Sequence, residues 1–267
     1  MRDDLLVVGV DVAAARPCVA VALRCGRSTA VAGWFEMDCS DRGGLLAMAD
    51  WIHGHAPAAI AIDAPQGVNL RLLEQGRGDL PPSRARLCDF YLRRAGLPLY
   101  QVPTKLAAAA QPADHWMAVG RRLFAALKGR AYGYEPPPQA ATPGLLGAPA
   151  AVLEVFPHAS FATLLGGVPP AKSTRLGARA RVRLLREMSV HWDEYYDHDS
   201  VDALACALTA LRFMRDKAFG VGHEREGLLW LPVTAARFAE EQKYRRITAE
   251  ALEERLGTFA EARLPLL

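Results

Sequence analysis

Apolar and polar positions alternate in blocks along this chain. Residues 5–10, Leu-Leu-Val-Val-Gly-Val, are an apolar, β-branched run that Asp11 ends, which predicts a buried strand. Arg16-Pro17 marks a turn, residues 18–24 resume as a second strand, and residues 30–37 give a third. Such short connections predict an antiparallel meander. From Gly43 to about His55, Leu45, Leu46, Met48, Ala49 and Ile52 share one side of a predicted helix. Residues 58–62 form another apolar strand, ended by Asp63 and broken by Ala64-Pro65-Gln66-Gly67. Strand, helix and buried strand in that order predict a parallel pairing with both sheet faces covered.

The pattern loosens over residues 66–150, which are rich in proline and glycine and include Pro136-Pro137-Pro138. Helices are expected there at about 83–95 and 115–128, within an inserted subdomain. Strand chemistry returns at 151–157, followed by helices at 159–165, 178–190 and 199–216. Residues 228–233 read as an edge strand, where Pro232 is tolerated. Two amphipathic helices are expected after residue 235. The predicted class is α/β. Residues 1–65 and 151–233 form the core, 66–150 the insertion and 234–267 a helical extension.

At 267 residues the chain can bury a sizeable core, and 51% apolar with 23% charged residues excludes bulk disorder. Five scattered cysteines (18, 25, 39, 88 and 206) argue against a disulfide framework or structural zinc and predict a reducing, cytoplasmic setting. No run approaches the roughly 18 apolar residues of a spanning helix, so no membrane is expected. The net charge of +3 permits an acidic partner without demanding one.

The informative feature is where the acids stand. Asp11 and Asp63 end strands, Asp199 and Asp202 open the 199–216 helix three residues apart, and Glu154 lies inside an apolar strand. Any one of these has an ordinary structural explanation: a helix cap, a first-turn acid, a turn residue. Several carboxylates meeting at one sheet edge repel one another unless a cation neutralises them. Mg²⁺ and Mn²⁺ favour such oxygen ligands. Two such ions orient an attacking water and stabilise the leaving oxygen of a phosphodiester.

Five segments carry a resemblance: Gly9-Val-Asp-Val-Ala, Ile60-Ala-Ile-Asp-Ala-Pro-Gln-Gly, Arg86-Leu-Cys-Asp-Phe-Tyr-Leu-Arg, Glu154-Val-Phe-Pro-His-Ala-Ser-Phe and His198-Asp-Ser-Val-Asp-Ala-Leu-Ala-Cys-Ala-Leu-Thr-Ala. In that order they resemble an uncharacterised family whose members are described as nucleases of a ribonuclease H-like fold. The resemblance spans about residues 5–233. It implies a mixed sheet with the first three strands antiparallel, Asp11 on the central strand and Asp63 at the end of the fourth. The last segment is similar to the final acidic motif of RuvC-like resolvases, which implies a metal role for Asp202, with Asp199 a fourth candidate. One departure is that Val12-Ala13-Ala14-Ala15 follows the first acid, where many ribonuclease H-like enzymes carry a glycine.

Lys172, Arg175, Arg179 and Arg183, with Arg181 and Arg186, form a basic run suited to phosphate, with a solvated helix face as the alternative. Arg84, Arg86, Arg93 and Arg94 suggest a second basic face, with Arg86 either a phosphate clamp or a structural partner of Asp89. His158, His198 and Lys105 are secondary candidates for proton transfer or contact. Gly167-Val-Pro-Pro-Ala-Lys-Ser lacks the glycine before lysine of a phosphate loop, and His53-Gly-His55 lacks a third metal ligand. There is no Gly-x-Ser-x-Gly elbow and no dinucleotide fingerprint.

The leading expectation is a Mg²⁺- or Mn²⁺-dependent nuclease acting on DNA or RNA. A non-catalytic binding module on the same fold is the alternative, and a sugar-kinase-type phosphotransferase is a distant third. The apolar ending Leu264-Pro265-Leu266-Leu267 packs on the body or on a second copy in a homodimer.

Overall fold

The computed structural model describes residues 5–26, 28–97, 99–128, 150–192, 197–240 and 243–256. The prolines at 136–138 and the apolar ending lie outside them.

The meander forms as expected: β1 (Leu5–Asp11), β2 (Cys18–Cys25) and β3 (Thr29–Met37) pair antiparallel in sequence. Helix α1 (Arg42–Gly54) starts where the Asp41 carboxylate accepts from the Gly44 amide, and it returns the chain to β4 (Ala59–Asp63), parallel to β1. The 66–150 stretch contributes α2 (Leu87–Arg94), a short α3 (Lys105–Ala109) with no apolar period to announce it, and α4 (Trp116–Lys128). Helix α2 is shorter than the 83–95 expected, because Arg86 holds extended backbone at its start.

Strand β5 (Ala151–Val155) pairs parallel with β4, and α5 (Pro157–Leu165) begins early, with Pro157 in the first turn. Helix α6 (Arg175–Glu187) also begins early, capped by the Thr174 hydroxyl, followed by a two-residue β6 (Val190–His191) and α7 (His198–Phe213). Then come β7 (Phe219–His223), β8 (Gly227–Leu231), α8 (Ala235–Glu240) and α9 (Ala249–Leu256).

The result is a mixed α/β sheet in the order β6-β3-β2-β1-β4-β5-β8-β7. Strand β8 corrects an expectation: it is internal, between β5 and β7, and Pro232 falls just beyond its last residue. The true edge, β7, was hidden by its two glycines.

Two helical layers cover the sheet. Helices α5, α6, α7 and α9 share a core with Val7, Val21, Ala61 and Leu153, whereas α1 and α4 pack on Val8, Val10, Ile60 and Ile62. Helix α4 thus belongs to the cover of the sheet even though it lies in the 66–150 stretch. It approaches so closely at Gly120 that a Cβ there would stand 2.2 Å from the Ala64 Cβ. A third cluster joins α2, α5, β7 and β8 at the far side. No helix among the described residues is long and apolar enough to cross a membrane.

Candidate functional site

Side chains alternate between the faces of a strand. On β1, Val8 and Val10 face α1 while Val7 faces the α7 side. By the same count Gly9 and Asp11 face α7. Gly9 is where the helix lands: a Cβ there would stand 2.1 Å from the Ala203 carbonyl oxygen and 2.2 Å from the Ala207 nitrogen. On β4, Ala59 and Ala61 face the α7 side and Ile60 and Ile62 the other, which turns Asp63 toward α7 as well. Asp11 and Asp63 are register partners at the carboxyl ends of adjacent parallel strands. The first turns of α7 bring Asp199 and Asp202, both buried, to the same end.

The four acids sense one another. Burial, then Asp63, Asp202 and Asp199, push the Asp11 carboxyl well above its ordinary range. Burial and Asp202 push Asp63 up to about 8, tempered by a hydrogen bond shared with Asp11 and by Lys172. Asp202 is raised by burial against the pull of Lys172, whose ammonium is paired with its carboxylate. For Lys172, burial opposes the charge, but Asp202, Asp11 and Asp199 outweigh it and raise its pKa. Arg16 Nη1 lies 2.5 Å from one Asp199 oxygen, while the other, Oδ1, is buried without a hydrogen-bond partner among the described residues.

Carboxylate oxygens of this kind suit a hard divalent ion. Among the described residues, however, no three His, Cys, Asp or Glu side chains close around a common point. The two acids of α7 are turned to Lys172 and Arg16 instead.

Glu154 departs from the expected set. Its register partner is Ile62, so it projects from the face opposite Asp63. There it is fully buried, accepting from Arg86 Nη2 at 2.7 Å, from Arg86 Nη1 at 3.0 Å and from the Gln66 amide at 2.9 Å. Arg86 is also fully buried, and its Nε and Nη2 donate to Asp89 at 3.1 and 2.9 Å. Both residues leave the proposed site: Arg86 has no exposed surface for a substrate phosphate, and both Glu154 oxygens are engaged by Arg86 on the other face of the sheet. With Glu226, which accepts from the Leu70 and Leu87 amides, they tie the start of the insertion to β5 and the β8 edge.

The basic run divides. Arg175, Arg179 and Arg183 recur every four residues on α6. Arg175 is exposed and Arg179 half-buried, while Arg183 lies 3.5 Å from Glu187. Arg181 is buried, donating to the Pro170 and Gly177 carbonyls over the Phe161 ring. Arg84, Arg93, Arg94 and Lys105 are exposed. His158 is lowered to about 4 by burial, then by Arg181 and Lys172, and is therefore neutral at ordinary pH.

A cleft of about 360 Å³ opens on the acids, lined by Asp11, Asp63, the 12–15 loop, Arg16, Lys172, Tyr100, Trp116 and Phe156. Sequence reasoning missed Arg16 and the three aromatics. Arg16 stood five residues past Asp11 and read as part of a turn. The aromatics come from three separate segments with no common period.

The fold and cleft define an α/β domain with an acidic, cation-bordered site at the carboxyl ends of two central parallel strands. The chain belongs to a family of proteins of unknown function, DUF429, which it matches over residues 9–226. No curated protein and no solved structure matches it significantly.

Proposed function

We propose that this protein is a metal-dependent nuclease that hydrolyses phosphodiester bonds in this cleft. The observation that carries the reading is the convergence of Asp11, Asp63, Asp199 and Asp202 at one end of the sheet, each buried or half-buried beside like charges. Such crowding is unfavourable without a cation. The topology lends support: the ribonuclease H-like resemblance implies a mixed sheet with an antiparallel β1–β3 meander, Asp11 on the first strand and Asp63 at the end of the fourth, and the sheet has that arrangement.

Mg²⁺ or Mn²⁺ held by Asp11, Asp63, Asp199 and Asp202 would supply an activated water and neutralise charge on the phosphate. The chain's own residues do the rest. Lys172 and Arg16, with side chains 44% and 60% exposed, offer the cleft two cations for phosphate oxygens. Arg175 and Arg179 extend that positive face along α6. His158, being neutral, does not serve as the acid that protonates a leaving group at neutral pH.

The test is cleavage of labelled DNA and RNA substrates with Mn²⁺ by wild type, Asp11→Asn and Asp202→Asn. Loss of a ligand removes several kcal/mol of transition-state stabilisation, so each variant should fall by roughly 10³-fold. Equal residual activity in all three refutes the reading. A second reading, a non-catalytic nucleic-acid-binding module, is favoured by one observation: Lys172 and Arg16 already neutralise Asp202 and Asp199. Under it, Mn²⁺ gives no stabilisation that Asp11→Asn abolishes.

A further inference from the structure

The wall of the cleft facing the acids is aromatic. Tyr100 and Trp116 stand edge to face with centroids 4.4 Å apart and planes at 82°, and Phe156 meets Tyr100 at 5.7 Å and 81°. Two of these rings come from the insertion and the third from the end of β5, just past Val155. All three are only half-buried, so ring surface is open to the cleft. The Tyr100 hydroxyl oxygen is buried and has no hydrogen-bond partner among the described residues. Buried tyrosine hydroxyls ordinarily find one.

The cleft therefore has three parts: an acidic floor, two cations at its border and an aromatic wall. A volume of about 360 Å³ is near the lower end for ligand clefts. It accommodates a single nucleotide unit but not a base pair with both backbones. A base kept in a duplex stack cannot turn its face to a protein ring, whereas an unpaired one can.

We propose that the Tyr100–Trp116–Phe156 wall receives an unpaired nucleobase of a single strand, stacking it while Lys172 and Arg16 hold the neighbouring phosphate over the acids. This rests on the nuclease reading and names its substrate: single-stranded or frayed nucleic acid. The stacking rings impose little sequence preference, because every base has a flat face.

The test uses the full-length protein in EDTA, where nothing is turned over. Fluorescence anisotropy measures the binding of a labelled single strand, the same strand in a duplex, and the strand with one abasic position. Wild type should prefer the single strand by about tenfold or more, and the abasic position should weaken it by roughly 5- to 100-fold. Trp116→Leu should lose affinity for the single strand by a similar factor, be indifferent to the abasic position and leave duplex binding unchanged. Trp116→Phe should restore most of the loss, which guards against a folding defect in the leucine variant. Equal affinity for duplex and single strand, a full abasic penalty in Trp116→Leu or no binding to either form overturns the proposal. Parallel Mn²⁺ assays separate the two claims. Duplex cleavage abolished by Asp11→Asn keeps the nuclease and discards the aromatic wall, whereas single-strand binding without Mn²⁺-dependent cleavage does the reverse.

Discussion

Asp63→Asn gives a direct measure of the tension at the floor of the cleft. The Asp63 carboxyl stands at about 8 against an ordinary value of 3.8, through burial and then Asp202. Taken whole, that difference corresponds to ~6 kcal/mol between the two protonation states. Asp63 keeps partial contact with water, and screening there reduces the expected contribution to ~3 kcal/mol. The sign follows from proton linkage. The folded protein retains a proton that the unfolded chain releases above about pH 4, so stability is greatest below that value and falls as pH rises to about 8. Asparagine removes the ionisation. In EDTA, wild type and variant should melt together near about pH 4. By about pH 8.5 the variant should melt ~6–12 °C higher. Adding Mg²⁺ or Mn²⁺ at about 100 times its dissociation constant should return ~2.7 kcal/mol to wild type at the higher pH, and much less to the variant. Calorimetry or dye-reported melting across this range reads both effects. Parallel melting profiles for the two proteins at every pH would refute the reasoning, since they would mean that Asp63 is not held protonated by its neighbours.

Arg86→Ala strands the buried carboxylates of Glu154 and Asp89, and chemical denaturation should show a loss of about 3–5 kcal/mol, with Arg86→Lys recovering only part of it. Gly9→Ala drives a methyl group into the backbone of α7, and a loss of about 3 kcal/mol or more is expected, read as reduced melting temperature or soluble yield. His158→Gln should leave the shape of the pH–rate profile unchanged above about pH 5, because the imidazole is already neutral there.

Parts of this architecture were legible in the sequence because charge interrupts hydrophobicity at the ends of strands. Asp11 and Asp63 each close an apolar run, and strand alternation then sends both toward the same helix. Glu154 looked equivalent, but the register of β5 against β4 sets it beside Ile62, one residue out of phase with Asp63, and one residue changes the face. The Arg86–Asp89 pair was offered by the sequence as one of two readings and forms, but the depth of Arg86 could not be read, because its other partners, Glu154 and Glu226, lie 68 and 140 residues away. Strand β6 is two residues long, too short for any period, and the glycines of β7 hid an edge strand. The aromatic wall left no trace, since proximity among residues 100, 116 and 156 is made by the insertion folding back onto the sheet.

The contact between Gly120 and Ala64 has a consequence for how this protein can change. Ala64 immediately follows the acid that ends β4, and Gly120 sits one helical turn beyond Trp116. Trp116 is therefore carried on a helix braced against the residue that follows the acid, with no slack between them. Grafting a different insertion between these points would reshape the wall of the cleft, but only grafts that keep a hydrogen at position 120 and a methyl at position 64 would leave the floor where it is.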